Sequence, residues 1–198
     1  LAREKTDIPR LVEKLCSHLL AEAEKVGTQF FVLCADDEYS VNAFKNQLNS
    51  THINDINLYK YSPQVIVDVL KQFLLELPQP LLNEESCAGI FDDKEQSKVN
   101  LVGFWEILQS LPDSHVDLLR FLADFLSRTQ WPAEGLAQTW GHVIYRSLDQ
   151  AVSQALKLNG VTNVVRELVM HFEALCDPHP SAVQALGAPP GSAPPEAA

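Results

Sequence analysis

The chain has 198 residues, of which 46% are hydrophobic and 21% charged, and its formal net charge is −11. This composition is that of an ordinary globular protein with enough chain for one sizeable core. The acidic balance disfavours binding to nucleic acid or to an anionic membrane surface, because both are themselves negatively charged.

The first third of the chain has the periodicity of two helices. Asp7 can cap the first helix, and Gly27 is a natural end for it. The second helix is predicted over residues 38–49. The apolar positions predicted to be buried are Leu11, Val12, Leu15, Leu19 and Leu20 in the first helix, and Val41, Phe44 and Leu48 in the second.

A third helix with a strong apolar period follows a predicted loop at residues 50–61. Ser62 can cap this helix, and Pro78 and Pro80 end it because proline cannot continue the hydrogen-bond ladder. Its predicted buried positions are Val65, Ile66, Val69, Leu70, Phe73 and Leu77.

Five further helices are predicted in the second half of the chain. A short one covers residues 84–91, and a longer one covers 98–111. The others start at Pro112, at Pro132 and near Thr162. The helix after Pro132 is predicted to bury Leu136, Trp140, Val143 and Ile144.

The pattern therefore predicts an all-α fold, a single domain of about eight helices over residues 1–176, packed ridge into groove. The one β-like run, residues 30–34, is too isolated to build a sheet. Residues 177–198 hold six of the twelve prolines and no aromatic residue, which is typical of a disordered linker rich in proline and alanine. Its proline pairs can serve as polyproline II ligands for an SH3-type partner, although a plain tether is the simpler prediction.

Signals for catalysis, metals and cofactors are absent from the sequence. No histidine stands in a nucleophile motif such as G-x-S-x-G, and there is no glycine-rich phosphate loop. The four cysteines are widely spaced, without ligand pairs or a disulfide framework, which favours reduced thiols in a cytoplasmic protein. No apolar run approaches the roughly 20 residues that span a bilayer. We therefore predict no catalytic residue, no metal and no cofactor.

The most specific motif is the end of the third helix, Leu70–Leu82, where a lysine-bearing apolar helix runs into leucine-proline-x-proline-leucine. It resembles the signature of the Rho-family GTPase-activating (RhoGAP) domain. Lys71 stands where that family has its lysine, and Leu75 stands where most members have an arginine. Regulatory subunits of phosphoinositide 3-kinase also have a leucine there. An amphipathic helix closed by prolines would account for the same pattern without any such relationship.

A second stretch, Phe30–Leu33, is similar in place and spacing to the family's glycine-x-phenylalanine-arginine loop. The resemblance implies that Val32 occupies the position of the catalytic arginine. That arginine stabilises the transition state of phosphoryl transfer and is worth about 10³–10⁵ in rate. Valine has no charge and no donor, and the sequence contains no arginine between Arg10 and Arg120.

A third stretch, residues 131–144, is similar to the family's asparagine-leucine-alanine segment followed by phenylalanine-glycine-proline-asparagine-leucine. Leu136, Ala137 and Gly141 match it, and Trp140 replaces the aromatic residue. The positions that depart from it are Gly135, His142 and Val143. The resemblance places Val143 where the family asparagine contacts the GTPase, whereas the helical period predicts that Val143 is buried.

Together these motifs imply a catalytically silent RhoGAP-like module, a pseudo-GAP, within a larger regulatory or adaptor protein. The implied partner is a Rho-family small GTPase or another signalling protein, with Lys71 contacting one of its carboxylates or carbonyls. The implied partner face consists of Lys71, Val32, Val143, Leu75 and His142. Two alternatives remain: an active GTPase-activating domain with a displaced arginine, or an unrelated helical scaffold. The displaced arginine would be Arg120, Arg128 or Arg146.

Overall fold

The structure is a computed structural model, and it describes residues 8–31, 38–83, 99–146 and 157–175. The prediction of an all-α fold is confirmed. The described ranges contain seven α-helices: α1 (Arg10–Val26), α2 (Glu38–Ser50), α3 (Pro63–Leu75), α4 (Leu101–Ser110), α5 (Asp113–Arg128), α6 (Ala133–Ile144) and α7 (Lys157–Leu175). Short 3-10 turns lie at Gln29–Phe31, Ile53–Asp55 and Leu58–Lys60. The predicted helix at 84–91 and the predicted linker at 177–198 lie outside the described residues.

Local sequence signals set the end of α1 and the start of α3 as expected, whereas the cap predicted at Asp7 is wrong, because α1 begins at Arg10 after Pro9 without a side-chain cap. Gly27 follows α1 with a φ of 84°, a left-handed conformation that costs glycine little. At the start of α3 the Ser62 hydroxyl accepts a hydrogen bond from the Val65 N–H at 3.4 Å, and Pro63 occupies the first helical turn.

Two other helix starts also differ from the predictions. α4 begins at Leu101 and not at residue 98, because the Asn100 side chain accepts the Gly103 N–H at 3.1 Å and so caps the helix there. α7 begins at Lys157, five residues before the predicted start at Thr162. Gly160 lies inside that added turn, and a glycine inside a helix weakens the helical signal in the sequence.

One pair of short strands was not predicted. β1 (Leu82–Asn83) pairs in parallel with β2 (Tyr145–Arg146), so that Leu82 lies opposite Tyr145. Two residues are too few to show the alternation by which a strand is recognised in a sequence. The pair joins the segment that follows the proline-rich end of α3 to the end of α6.

The core is continuous through all seven helices, with α3 near its centre. α3 packs against α1, α2, α6 and the turn Gln29–Phe31, while α7 packs against α4, α5 and α6. Leu70 and Leu74 of α3 are almost fully buried, as are Leu122 of α5 and Leu168 of α7. This arrangement buries an apolar stripe from every helix, which is the main stabilising term of such a fold.

Candidate functional site

The three sequence stretches singled out above meet at the indole of Trp140. Its Nε1–H donates a hydrogen bond to the carbonyl oxygen of Phe31 at 3.1 Å. On the ring, the Lys71 Nζ lies 5.2 Å from the centroid. One side chain of α6 therefore contacts both the turn after α1 and the lysine of α3.

An aromatic cluster packs against the junction of Phe31, Lys71 and Trp140. The rings of Phe31 and Phe125 are 5.5 Å apart at an interplanar angle of 73°. Phe125 and Trp140 are 6.2 Å apart at 72°. Both are edge-to-face arrangements, which are favourable for aromatic pairs. Nothing in the sequence indicated that Phe125 of α5 would pack against this site.

Lys71 has an unusual environment for a lysine. Its side chain is only 8% exposed, although it lies on a helix whose other buried side chains are aliphatic. Removing an ammonium group from water is costly unless partners replace the water. The face of Trp140 is one such partner, since the π-electrons of indole attract a cation within about 6 Å of the centroid.

His142 is the exposed polar residue next to this junction on α6. Burial of part of its ring lowers the pKa of His142, and the nearby charge of Lys71 lowers it further. Both causes favour the neutral imidazole, which has one donor and one acceptor nitrogen. His142 is thus suited to hydrogen bonding at a surface where Lys71 supplies the positive charge.

The structure separates the remaining residues of the predicted partner face. Val143 is 1% exposed and lies in the core, which confirms the burial predicted from the helical period. It therefore presents almost no side-chain surface to a partner, in contrast to the position that the resemblance implies. Leu75 is half-buried against the core. Val32 lies outside the described residues, but it is covalently joined to Phe31, whose carbonyl Trp140 holds.

The arginines of the alternative hypothesis lie on α5 and at β2. Arg128 is exposed on α5, one turn beyond Phe125, and its Nη1 lies 3.7 Å from the Asp124 Oδ2. Arg120 is half-buried on the same helix. The side chain of Arg146 lies outside the described atoms. A further arginine, Arg166 of α7, lies 3.4 Å from Glu134 and 3.0 Å from Glu167, and thus links α7 to α6.

A close packing contact explains one departure from the family motif. A Cβ atom built on Gly135 would lie 2.6 Å from the Nε1 of Trp131, which is closer than non-bonded atoms can approach. The indole of Trp131 covers the position at which the motif has an asparagine. Glycine at this position leaves room for the tryptophan.

The described residues give no support to metal binding, membrane insertion or thiol chemistry. Among them, no three histidine, cysteine or acidic side chains are grouped so that they could bind a metal ion. No helix within the described ranges has the length and apolar character to cross a membrane. Cys16 is fully buried, and burial raises the pKa of its thiol far above the ordinary value, so that the reactive thiolate is disfavoured.

Residues 9–135 match the family model of the RhoGAP domain. The chain belongs to the RhoGAP domain family. The match ends before Trp140, so the contribution of α6 to the site rests on the geometry described above. This membership confirms the resemblance drawn from the sequence motifs, and it removes the alternative of an unrelated helical scaffold.

Relatives with similar sequences are much longer proteins. Unconventional myosin-IXAa of Danio rerio is 28% identical over 134 residues, which are 65% of this chain and 5% of that protein. Rho GTPase-activating protein 68F of Drosophila melanogaster is 28% identical over 125 residues, 61% of this chain and 25% of that protein. Human Rho GTPase-activating protein 44 is 32% identical over 81 residues, 37% of this chain and 9% of that protein. The chain thus spans a quarter or less of each.

Solved structures of RhoGAP domains share the fold. The BH domain of GRAF, the GTPase regulator associated with focal adhesion kinase, superposes with a TM-score of 0.66 at 15% identity, covering 85% of this chain and 96% of that one. Human Rho GTPase activating protein 15 gives a TM-score of 0.66 at 14% identity, covering 81% and 82%. At these identities the likeness concerns the backbone.

Proposed function

We propose that this RhoGAP domain binds a Rho-family small GTPase through the surface around Lys71 and does not strongly accelerate GTP hydrolysis. The proposal is supported by a frame that keeps the lysine of α3 in a chain with no arginine near the first motif. The junction of Phe31, Lys71 and Trp140 is built, yet the sequence has no arginine from residue 11 to residue 119.

The chemistry of the arginine finger explains why we expect a domain without one to have little GTPase-activating activity. An arginine finger contributes about 10³–10⁵ in rate by stabilising the transition state of phosphoryl transfer. At Val32 the side chain is aliphatic, and Leu75 replaces the arginine that most family members have on α3. Lys71 supplies positive charge but not the planar, bidentate fork of a guanidinium. We therefore assign Lys71 to partner binding, as a contact for a carboxylate or carbonyl oxygen.

A GTP-hydrolysis assay with a panel of Rho-family GTPases tests whether the domain is catalytically silent. The expected result is a rate close to the intrinsic rate of each GTPase. Stimulation by several orders of magnitude with any member would overturn the proposal.

One observation keeps an active domain as the second candidate. Phe125 on α5 packs against both Phe31 and Trp140, and Arg128 lies one turn further along the same helix. Strong stimulation that disappears in R128A but persists in R166A would identify Arg128 as a displaced finger. R120A and R146A test the two other arginines in the same way.

Pull-down against GTPases loaded with GDP, GTP or a transition-state analogue tests binding itself. K71M is expected to weaken capture at an unchanged thermal midpoint, whereas the matched variant K45M is expected to have no effect. Lys45 is a suitable control because it is a partly exposed lysine of α2 that pairs with Glu76 at 2.6 Å. Capture that does not depend on the bound nucleotide would indicate plain scaffolding of the GTPase.

The domain is further proposed to act as a module of a larger cytoplasmic regulatory protein. Leu75 supports a parent similar to the regulatory subunits of phosphoinositide 3-kinase, and the proline pairs of residues 177–198 support a tail that binds an SH3-type domain. A peptide of residues 177–198 that binds no domain on an SH3 array would remove the second of these proposals.

A further inference from the structure

Trp140 uses two different parts of its side chain on two different elements of the site. The indole N–H donates to the Phe31 carbonyl oxygen at 3.1 Å. The aromatic face lies 5.2 Å from the ammonium of Lys71. The ring itself is fully buried against Phe125, so it is held in one orientation.

The hydrogen bond acts at the point where the chain leaves for Val32. The carbonyl of Phe31 belongs to the same planar peptide group as the nitrogen of Val32. Fixing this oxygen therefore fixes the direction from which the chain continues. A phenylalanine at residue 140 would keep an aromatic face toward Lys71, but it is smaller than the indole and has no N–H group.

We propose that Trp140 is a positioning residue that couples the turn Gln29–Phe31 to the ammonium of Lys71, so that the two halves of the partner surface keep a fixed spacing. The role of this spacing in partner binding rests on the proposed function. The coupling within the domain does not. The Nε1 atom and the face of one rigid ring system carry it, so the two contacts keep a fixed geometry relative to each other.

Two substitutions in the full 198-residue chain separate the two contacts. W140F removes the N–H and keeps an aromatic face, whereas W140L removes both. W131F is the matched control, because Trp131 stands nine residues earlier and packs over Gly135. Hydrogen exchange of the peptide that contains Phe30 and Phe31 reports the first contact. The chemical shifts of the Lys71 side-chain methylene protons report the second, since an aromatic face shifts them upfield.

In W140F, exchange of the Phe30–Phe31 peptide is expected to become about two- to tenfold faster, the effect of losing one buried hydrogen bond. The upfield shift of Lys71 is expected to persist in W140F and to vanish in W140L, and W131F is expected to change neither. Unchanged exchange in W140F would overturn the inference. So would faster exchange spread evenly over all helices, because that is the result of a merely structural role. If W140L does not fold, an unshifted Lys71 in the wild-type protein would also overturn it.

GTPase capture then distinguishes this inference from the proposed function. If W140F changes the exchange of the Phe30–Phe31 peptide and no GTPase is captured by the wild type, the coupling stands and the proposed function fails. If a GTPase is captured equally well by wild type and W140F, with unchanged exchange, the proposed function stands and the coupling is wrong.

Discussion

Trp140 gives the buried ammonium of Lys71 an aromatic partner and is itself held by a hydrogen bond to Phe31. The ammonium loses most of its water and gains the face of an indole 5.2 Å away. The indole is fully buried and gains an acceptor for its N–H in the Phe31 carbonyl. Val32, joined to Phe31, carries no polar group at all. Among the described residues, the chemistry of this site is therefore that of a buried ammonium group against the face of an indole.

Restoring an arginine at residue 32 is expected to recover little activity. In V32R, stimulation of GTP hydrolysis should stay below about tenfold, against the 10³–10⁵ of a complete finger, because Leu75 and the buried Val143 still provide no polar contact. Single-turnover hydrolysis with the panel of GTPases measures this, with V32L as control. Stimulation of several hundredfold in V32R would show that the rest of the docking surface is intact.

Stability is expected to fall in mild acid because of His142. Its pKa is lowered in the folded protein, first by burial and then by Lys71, so the unfolded chain binds the proton more readily. The contribution of His142 to the free energy of unfolding is therefore fully present above the ordinary histidine pKa of about 6.5. It is lost as the pH falls toward the lowered pKa that His142 has in the folded protein. Urea unfolding of wild type and H142Q at about pH 7.5 and about pH 5.5 should show a smaller loss in H142Q.

His18 provides a second test, because it too is expected to lower the stability of the protein in acid. Burial lowers the pKa of His18 as well, so H18Q should also reduce the loss of stability in acid. An equal loss in wild type and both variants would show that these histidines do not control the acid response.

At the scale of elements, the start of α6 shows how packing overrides local preference. Glycine is a poor residue for a helix interior, yet Gly135 lies in the first turn of α6. The indole of Trp131 occupies the space above it, 2.6 Å from where a Cβ would be. The contact with the tryptophan four residues earlier thus leaves no room for a side chain at position 135, where the motif has an asparagine.

Alanine at residue 135 should therefore destabilise the domain. The intrinsic gain of about 1 kcal/mol for replacing glycine in a helix is outweighed by about 1–3 kcal/mol of overpacking against the indole. In a W131L background the overpacking is relieved, and G135A should stabilise by up to about 1 kcal/mol. Chemical denaturation of the four proteins of this double-mutant cycle measures the coupling. Equal effects of G135A in both backgrounds would contradict the account.

The whole molecule depends on α7 to close its core. Val164, Val165, Leu168 and Leu175 are fully buried, and α7 packs against α4, α5 and α6. Each such side chain is worth about 1.5–3 kcal/mol when buried. Together they match the total stability of about 5–15 kcal/mol that a domain of this kind has.

Two truncations test this dependence. Removing residues 177–198 should shift the thermal midpoint by no more than about 2 °C, because a segment rich in proline and alanine and without aromatic residues contributes little to a core. Removing residues 157–198 should abolish cooperative unfolding, because it removes α7 as well. Circular dichroism melts measure both. A large shift in the shorter truncation would show that the tail is part of the domain.

Much of the fold could be predicted from the sequence because the apolar period and the caps of a helix are local sequence signals. Gly27, Ser62 and the apolar period of α3 gave correct boundaries. The signals failed where they were too short or contradictory, as in β1 with its two residues and in α7 with Gly160 inside its first turn. For the candidate site, Lys71 was found through its motif. The role of Phe125 was not found, because ordinary core apolar residues carry no signal of what they pack against.

By itself the sequence determined the helical class, the order of the three motifs and the absence of arginine between Arg10 and Arg120. These are properties of residue type and of spacing along the chain. Only the tertiary structure decided that one indole joins Phe31 to Lys71 and that Phe125 packs against both Phe31 and Trp140. The physical reason is that close packing is set by the distances between atoms far apart in the chain, and these distances exist only once the helices have docked.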